Sequence, residues 1–168
     1  MHMGFDNANI TEKNFRDLMA KLPKQVSIVG TKLPQGGYIG CTLTSFSSVA
    51  SVSNFNFISF SLKRESSTLK AIFSEGNFIM HFLVKRGINA ARFFSGDRSD
   101  NEVNMKFDSG GYTEIVEELN GVSAFSLVCN LHSSCLVENS VLVVGICSNI
   151  NLISLEDLLI YKDRSYSL

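Results

Sequence analysis

Apolar residues recur along the chain with two different periods. Near the N-terminus, Phe15, Leu18, Met19 and Leu22 have the spacing of one helical face, and Thr11 can cap that helix. Further along, apolar runs of strand length predominate. We predict strands at residues 26–29, 57–62, 77–84, 124–135, 141–149 and 158–161.

The other predicted helices are short and scattered. One is indicated by apolar residues behind a pair of serines, and its residues are Ser66, Ser67, Leu69, Ile72 and Phe73. A second is predicted at residues 88–94. Residues 97–112 are polar and contain glycine, which predicts a loop.

Strands outnumber helices, and this pattern predicts a mainly β fold. A closed or nearly closed antiparallel barrel with helices packed outside fits it best. No linker or repeat divides the sequence, so we expect one domain spanning residues 1–168. Residues 1–10 are expected to be a loosely ordered N-terminal extension.

Composition narrows the classes of partner. The net charge is −1, and 18% of the residues are charged, below the roughly 25% typical of soluble domains. A sparsely charged surface predicts that part of it is covered, so we expect a homodimer. The sequence has no basic cluster for nucleic acid, no apolar span of membrane length and no signal peptide. We therefore expect a cytoplasmic protein that binds neither nucleic acid nor membrane.

The four cysteines lack the spacing of metal ligands. They are Cys41, Cys129, Cys135 and Cys147, and no two of them form a CxxC. On a regular strand, Cys129 and Cys135 share a face while His132 points the other way. This arrangement argues against a Cys/His metal cluster. We expect buried free thiols and no metal.

Nucleotide-binding and catalytic motifs are also absent. The sequence contains no GxGxxG, no GxxxxGK[ST], no GxSxG and no HExxH. Its three histidines, His2, His81 and His132, are scattered. No catalytic residue is predicted, although a Cys/His nucleophile pair stays open.

Two hydroxyl-rich segments are the candidates for ligand binding. One is TLTSFSS at residues 42–48, and the other is KRESST at residues 63–68, which opens a predicted helix. A helix N-terminus offers unpaired N–H groups and partial positive charge to a phosphate. The nearby side chains that would add hydroxyls and cations are Ser66, Ser67, Thr68, Lys63 and Arg64. An ordinary helix cap beside a polar loop is the alternative, and composition alone favours it.

The order of several sequence blocks resembles that of the flavin reductase-like family. GCTLTSFSSV at residues 40–49 resembles the family's Gly-x-Thr-x-x-Ser-Phe-x-Ser-Val run. Residues 60–68 resemble the following strand and a phosphate-side Ser-x-Thr turn. LLIYKDRSY at residues 158–166 resembles the closing strand. The resemblance runs from about Phe15 to Tyr166, nearly the whole chain.

The resemblance implies an FMN-binding split barrel with a Greek-key-like antiparallel arrangement. It also implies NAD(P)H-dependent reduction of FMN, with FAD as a second candidate, and supply of reduced flavin to a partner monooxygenase. The implied contacts of the polar edge of the isoalloxazine ring are Thr42, Leu43, Thr44 and Ser45. Those beneath the ring are Ser59, Phe60 and Ser61. Those of the ribityl chain and phosphate are Ser48, Ser66, Ser67, Thr68 and Arg92.

One block departs from the family's pattern. Many members have Gly-Asp-His before the penultimate strand, on the nicotinamide side, where this chain has Glu138, Asn139 and Ser140. The change leaves open a second hypothesis, a flavin-binding carrier or sensor without NAD(P)H reductase activity. A third hypothesis is a structural barrel without a cofactor. His81 stands where asparagine is common, and a histidine satisfied by a local hydrogen bond explains it.

Overall fold

The computed structural model describes residues 11–96, 107 and 110–167. Its helices are α1 (Glu12–Ala20), α2 (Ser67–Glu75), α3 (Ile88–Ser95) and α4 (Tyr112–Gly121), and a 3₁₀ turn (Lys85–Gly87) precedes α3. Its strands are β1 (Lys24–Gln25), β2 (Ser27–Lys32), β3 (Tyr38–Leu43), β4 (Ser47–Val52), β5 (Phe55–Lys63), β6 (Asn77–Leu83), β7 (Ser123–Val137), β8 (Ser140–Leu152), β9 (Ile160–Lys162) and β10 (Ser165–Ser167). The N-terminal extension expected at residues 1–10 lies outside the described residues.

A seven-stranded antiparallel sheet forms the body of the fold, in the order β3-β2-β6-β7-β8-β5-β4. Strands β3 and β4 are its two edges, yet only residues 44–46 connect them. The sheet must therefore roll until its edges come close, which makes a barrel. A smaller sheet, β1-β9-β10, lies beside it. The predicted mainly β barrel with peripheral helices is confirmed.

Each face of the large sheet carries a hydrophobic core. Strand β6 contributes to both, because Phe78 and Phe82 lie in the core inside the barrel whereas Leu83 lies in the outer core. Helix α2 adds Leu69 to the inner core, and α4 adds Leu119 to the outer core. A strand buried on both faces is apolar along its whole length, which explains why the sequence predicts β6 so clearly.

Helix α1 forms as the sequence predicts, but its apolar face is open to solvent. The Asn14 amide donates to Thr11 Oγ1 at 3.1 Å, which caps the helix. Phe15 and Leu18 are 52% and 60% exposed. The apolar spacing thus predicts the helix correctly, while no other part of the described chain covers Phe15 and Leu18. None of the helices in the described ranges is long and apolar enough to cross a membrane.

The sequence pattern does not predict helix α4. Most of the loop predicted at residues 97–112 lies outside the described residues, and α4 begins at the last residue of that range, Tyr112. Glu114 accepts a hydrogen bond at 2.9 Å from the backbone N–H just before the helix. Only Ile115 and Leu119 are buried. Two buried residues one turn apart, among acidic residues, give too weak an apolar periodicity to predict this helix from the sequence.

Two β-bulges interrupt the pairing of β7 with β8. One lies between Val128 and Cys129, and the other lies between Leu131 and Ser133. Since a bulge shifts the alternation of side chains, Cys129 is buried whereas Cys135 is exposed. The prediction that these two cysteines share a face is wrong for this reason, and so is the prediction that Cys135 is buried.

Candidate functional site

The loop between the two barrel edges carries the first candidate residues. Ser45 Oγ accepts a hydrogen bond from the Ser61 amide at 3.1 Å and donates one to the Ser61 carbonyl oxygen at 3.2 Å. These two bonds fix the loop at residues 44–46 against β5. Thr44 is half-buried and Ser45 is exposed, so the loop is anchored while its outer side stays accessible.

Strand β5 presents small polar side chains on one of its faces. Ser59 and Ser61 are half-buried there, and Ser47 of β4 pairs with Ser59. Phe60 points to the opposite face, where it is buried against Phe78 with ring centroids 5.1 Å apart. The Phe60 side chain therefore belongs to the inner core. Only its backbone faces the side of β5 where the family resemblance implies the isoalloxazine ring.

The N-terminus of α2 lies directly after β5. Ser66 caps the helix, because its Oγ accepts a hydrogen bond from the Leu69 amide at 3.3 Å. The Ser66 amide donates to the Lys63 carbonyl oxygen at 3.0 Å. The amides of Ser67 and Thr68 have no acceptor within the helix, since they belong to its first turn. Ser67 is exposed, so this helix end can receive an anion.

Thr68 and Ser48 differ from the other candidates in their surroundings. Thr68 is buried, and its side chain lies close to the Cys41 thiol. Burial raises the pKa of Cys41, and the Thr68 side chain partly offsets this effect. The Thr68 side chain is thus directed into the protein, while its amide stays available for a ligand. Ser48 is exposed on β4 beside a bulge, and its carbonyl oxygen accepts from Ser47 Oγ at 3.1 Å.

The hairpin between β7 and β8 reaches the same end of the barrel. Its turn consists of Glu138 and Asn139, and Glu138 has a left-handed φ of 52°. The Arg64 amide donates to the Asn139 carbonyl oxygen at 2.9 Å, and Ser140 pairs with Lys63. The segment that stands in place of Gly-Asp-His is therefore in direct contact with the loop that leads into α2.

Most of the serine candidates come together at this end of the barrel. We call this region the hydroxyl site and define it by Ser45, Ser59, Ser61, Lys63, Arg64, Ser66 and Ser67. Both cations are exposed, and Glu65 is the acidic residue in the same loop. Hydroxyls and unpaired amides at a helix N-terminus, beside two cations, form a set of donors that suits a phosphate ester.

Three further candidates line a cleft on the outer side of β3. Thr42, Thr44 and Arg92 lie there, and we call it the Thr42 cleft. Its volume is about 590 Å³, and its other lining residues are Ile88, Ser95, Tyr161, Arg164, Ser165 and Tyr166. Thr42 Oγ1 donates to the Ala91 carbonyl oxygen at 2.7 Å, so the protein already uses this hydroxyl. Leu43, between the two threonines, is buried in the inner core.

A second cleft, of about 780 Å³, shares Tyr161 and Arg164 with the Thr42 cleft. Its charged lining residues are Lys13, Arg16, Asp17, Lys24 and Arg164. Arg164 forms an ion pair with Asp17, and the Asp163 amide donates to the Ala20 carbonyl oxygen at 2.7 Å. These contacts dock the C-terminal hairpin on α1. The sequence analysis does not indicate Arg164 as a site residue, because its position at the two clefts depends on this docking.

His81 is the one fully buried histidine of the described residues, and it lies on β6. Burial lowers the pKa of His81 to about 4, and the Asn120 side chain partly offsets this effect. Neither ring nitrogen of His81 has a hydrogen-bond partner among the described residues, so the local hydrogen bond expected from the sequence is not formed. The imidazole is therefore neutral near pH 7. Within residues 11–96, 107 and 110–167, no three His, Cys, Asp or Glu side chains are grouped so that they could hold a metal ion.

A family model described as Flavin reductase like domain matches residues 19–167. The chain belongs to the flavin reductase-like family. The match includes all ten strands, the hydroxyl site and the Thr42 cleft. The resemblance of the sequence blocks is thereby confirmed. No curated protein sequence matches the chain.

Solved structures of flavin reductases have the same fold. The flavin reductase PheA2 is 20% identical, with a TM-score of 0.76 over 94% of this chain and 97% of its own. The styrene monooxygenase flavin reductase SMOB of Pseudomonas putida is 17% identical, with a TM-score of 0.73 over 92% of this chain and 96% of its own. The NADH:FAD oxidoreductase SgcE6 of Streptomyces globisporus, solved with NAD and FAD fragments, is 14% identical, with a TM-score of 0.73 over 96% of each chain.

Proposed function

We propose that this protein is an NAD(P)H-dependent flavin reductase that binds FMN at the hydroxyl site. The observation that carries the proposal is the coincidence of two results. The family match spans residues 19–167, and within that span the barrel gathers serine hydroxyls and two cations at the N-terminus of α2. Neither result alone would assign a cofactor, since helix caps rich in serine are common.

The phosphate end of the flavin fits the start of α2. In this proposal the amides of Ser67 and Thr68 and the hydroxyl of Ser67 donate to the phosphate oxygens, and Lys63 and Arg64 balance their charge. Ser66 keeps its capping bond to Leu69. A flexible lysine and a guanidinium beside a helix end are typical phosphate partners.

The ring end fits the loop at residues 44–46 and strand β5. Thr44 and Ser45 would supply donors for the polar edge of the ring, and Ser59 and Ser61 let it approach the strand closely because their side chains are small. Ser48 on β4 borders the ribityl chain. FMN is the first choice of flavin; FAD, whose extra adenylate would need the cations of the two clefts, is the second.

Reduced nicotinamide is the proposed electron donor. A bound flavin supplies the chemistry of accepting a hydride, and the protein's part is to hold and orient the two rings and to exclude water. The chain has no histidine at Glu138, Asn139 and Ser140, so the donor must be oriented by other groups. SgcE6, which shares the fold, is an NADH:FAD oxidoreductase, and this supports the choice of donor class.

A homodimer is part of the proposal. Large apolar side chains are exposed on the sheet and on α1, and they include Val52, Phe55, Leu136, Val137, Phe15 and Leu18. A second copy of the chain is the proposed occupant, because a face that includes the edge strand β4 is open to a symmetric partner. Sedimentation at micromolar concentration should give twice the chain mass, and a monomer would contradict this.

The proposed destination of the reduced flavin is a monooxygenase partner in the cytoplasm. SMOB, with the same fold, is the flavin reductase of a styrene monooxygenase. The absence of disulfides among the four cysteines fits a reducing compartment. A diffusing product must leave the protein, so ultrafiltration after anaerobic reduction should recover reduced flavin in the filtrate. Complete retention with the protein would argue against transfer by diffusion.

Steady-state turnover tests the proposed activity. Purified protein is mixed with FMN or FAD and with NADH or NADPH in air, and the loss of nicotinamide absorbance is followed. The expected result is oxidation that requires both protein and flavin. Tight flavin binding without oxidation of either donor would instead support the carrier or sensor hypothesis, which rests on the replaced Gly-Asp-His segment. No binding and no oxidation would overturn both.

A further inference from the structure

Cys129 of β7 and Cys147 of β8 lie directly opposite each other. Opposed residues of antiparallel strands have Cα atoms about 4.5–5.5 Å apart. Disulfides span Cα separations of about 4.4–6.8 Å. The backbone therefore already holds these two cysteines at a separation that a disulfide can bridge.

A β-bulge creates this pairing. Val128 pairs with Asn149, so a regular ladder would place Ser148 opposite Cys129, but the register shifts and Cys147 takes that position. Ser148 is the extra residue, and its Oγ donates to the Val128 carbonyl oxygen at 3.0 Å. The bulge thus brings two thiols together that the plain alternation of the strands would separate.

The two thiols also share a face of the sheet. Cys129 is fully buried in the inner core, and Cys147 packs against the same core from a half-buried position. Burial raises the pKa of Cys129, and the neighbouring Cys147 thiol raises it further. Cys147 Sγ donates to the Asn149 carbonyl oxygen at 3.4 Å. Cys147 is therefore the thiol of the pair that a small oxidant can reach.

We propose that Cys129 and Cys147 form a modification site at which hydrogen peroxide closes an intrachain disulfide. Cys147 Sγ, after losing its proton, attacks one peroxide oxygen, the O–O bond breaks, and a sulfenic acid and water result. Cys129 Sγ then attacks the Cys147 sulfur, the S–O bond breaks, and the Cys129 proton leaves with the hydroxyl as a second water. Each sulfur loses one electron, and the peroxide gains two.

The oxidant is a by-product of the proposed function, and this source rests on that proposal. Reduced flavin that is released without meeting a partner reacts with oxygen and yields hydrogen peroxide. The disulfide would then mark protein that has turned over without a coupled acceptor. Cys135 and Cys41 provide internal controls, since Cys135 is exposed without a thiol opposite it and Cys41 lies close to Thr68.

Thiol counting and peptide mapping test the site directly. The reduced protein, with its four cysteines, is treated with a small molar excess of hydrogen peroxide, quenched with catalase, alkylated in denaturant and digested without reductant. We expect a mass lower by about 2 Da before alkylation, two alkylated thiols afterwards, and a linked peptide that joins Cys129 to Cys147. Four alkylated thiols, oxygen addition at Cys135 alone, or a link between other cysteines would overturn the proposal.

Two variants test which cysteines form the disulfide. Cys147→Ser changes a half-buried residue and should abolish the link, while Cys135→Ser should leave it intact. Loss of the link in Cys135→Ser would contradict the assignment. If Cys147→Ser does not fold, the linked peptide of the unaltered chain still decides.

A second arm tests the source of the peroxide and separates this inference from the proposed function. The unaltered protein is incubated with FMN and NADH or NADPH in air, with and without catalase. Disulfide that catalase suppresses supports both proposals. A link formed by added peroxide without any nicotinamide oxidation keeps the site and rejects the reductase. Nicotinamide oxidation without a link in either arm keeps the reductase and rejects the site.

Discussion

Ser45 and Ser61 are joined by two hydrogen bonds, at 3.1 Å and 3.2 Å, between one hydroxyl and both backbone groups of the other residue. Ser45 lies on the short connection between the two edge strands of the barrel, and Ser61 lies on β5. Sixteen positions of sequence separate them. One side chain therefore fixes the barrel's closing loop at the place where we propose that the flavin ring lies.

Ser45→Ala should loosen this loop. It removes both bonds and leaves the Ser61 amide without its acceptor, so we expect a loss of about 1 kcal/mol in the free energy of unfolding. Flavin affinity should fall about tenfold if the loop orients ring donors. Denaturant melts and a flavin fluorescence titration measure the two effects. Ser51→Ala is the matched control, because Ser51 Oγ bonds Asn56 at the far end of the same strand pair. Equal effects of the two variants would show that Ser45 does not orient the loop for flavin binding.

Lys63→Ala tests the phosphate end of the hydroxyl site. Losing a cation beside the phosphate should weaken FMN binding by about tenfold at low salt, and the effect should shrink as salt rises. Riboflavin, which has no phosphate, should bind the variant and the unaltered protein equally. Lys162→Ala, at an exposed position on β9, is the control for net charge. A similar loss of riboflavin affinity would show that Lys63 does not act on the phosphate.

His81 should make the fold sensitive to acid. Its pKa of about 4 in the folded state lies below the unperturbed value of about 6.5, so protonation favours the unfolded chain. This contribution to stability is fully present above about pH 6.5 and is lost as pH falls toward 4, a change on the order of 3 kcal/mol.

The free energy of unfolding, measured between pH 7 and pH 4 in the unaltered protein and in His81→Asn, tests this loss of stability with falling pH. The variant should lose most of the acid dependence, whatever its absolute stability. His132→Asn is the control, because His132 is exposed and contacts Phe57. An unchanged slope in His81→Asn would mean that other groups carry the acid sensitivity.

Glu138→Gly should stabilise the hairpin beside the hydroxyl site. Glu138 holds a φ of 52°, a conformation that glycine adopts without strain, so we expect a gain of about 0.5–1 kcal/mol in the free energy of unfolding. Glu138→Ala keeps the strain and should show no such gain. Thermal melts of the two variants distinguish a backbone effect from the loss of charge. A gain in both would point to charge.

Long apolar runs explain most of what the sequence predicts correctly. Strand β6 is buried on both faces, and β5 alternates buried and polar residues, so both have strong local signals. Helix α4 buries only Ile115 and Leu119, and two apolar positions are too few for its sequence to predict a helix. The opposite orientation of Cys129 and Cys135 depends on a bulge, which cross-strand packing sets and local sequence does not.

The candidate site residues also fall into two groups, those indicated by local sequence and those placed by long-range contacts. Ser66, Ser67 and Thr68 follow from the sequence as a helix start directly after β5, whereas Ser45 meets Ser61 of that strand only because the barrel closes. Arg164 reaches the clefts through its contact with Asp17, 147 positions away. Long-range docking of this kind leaves no periodic trace in the chain.

Anaerobic reduction of bound flavin tests the central claim most directly. The protein is saturated with FMN without oxygen, NADH or NADPH is added, and the visible flavin absorbance is followed by rapid mixing. A flavin reductase should bleach the absorbance in proportion to the donor added, much faster than free FMN reacts with the same donor. Flavin that binds yet keeps its oxidised spectrum with both donors would show that the protein is not an NAD(P)H-dependent flavin reductase.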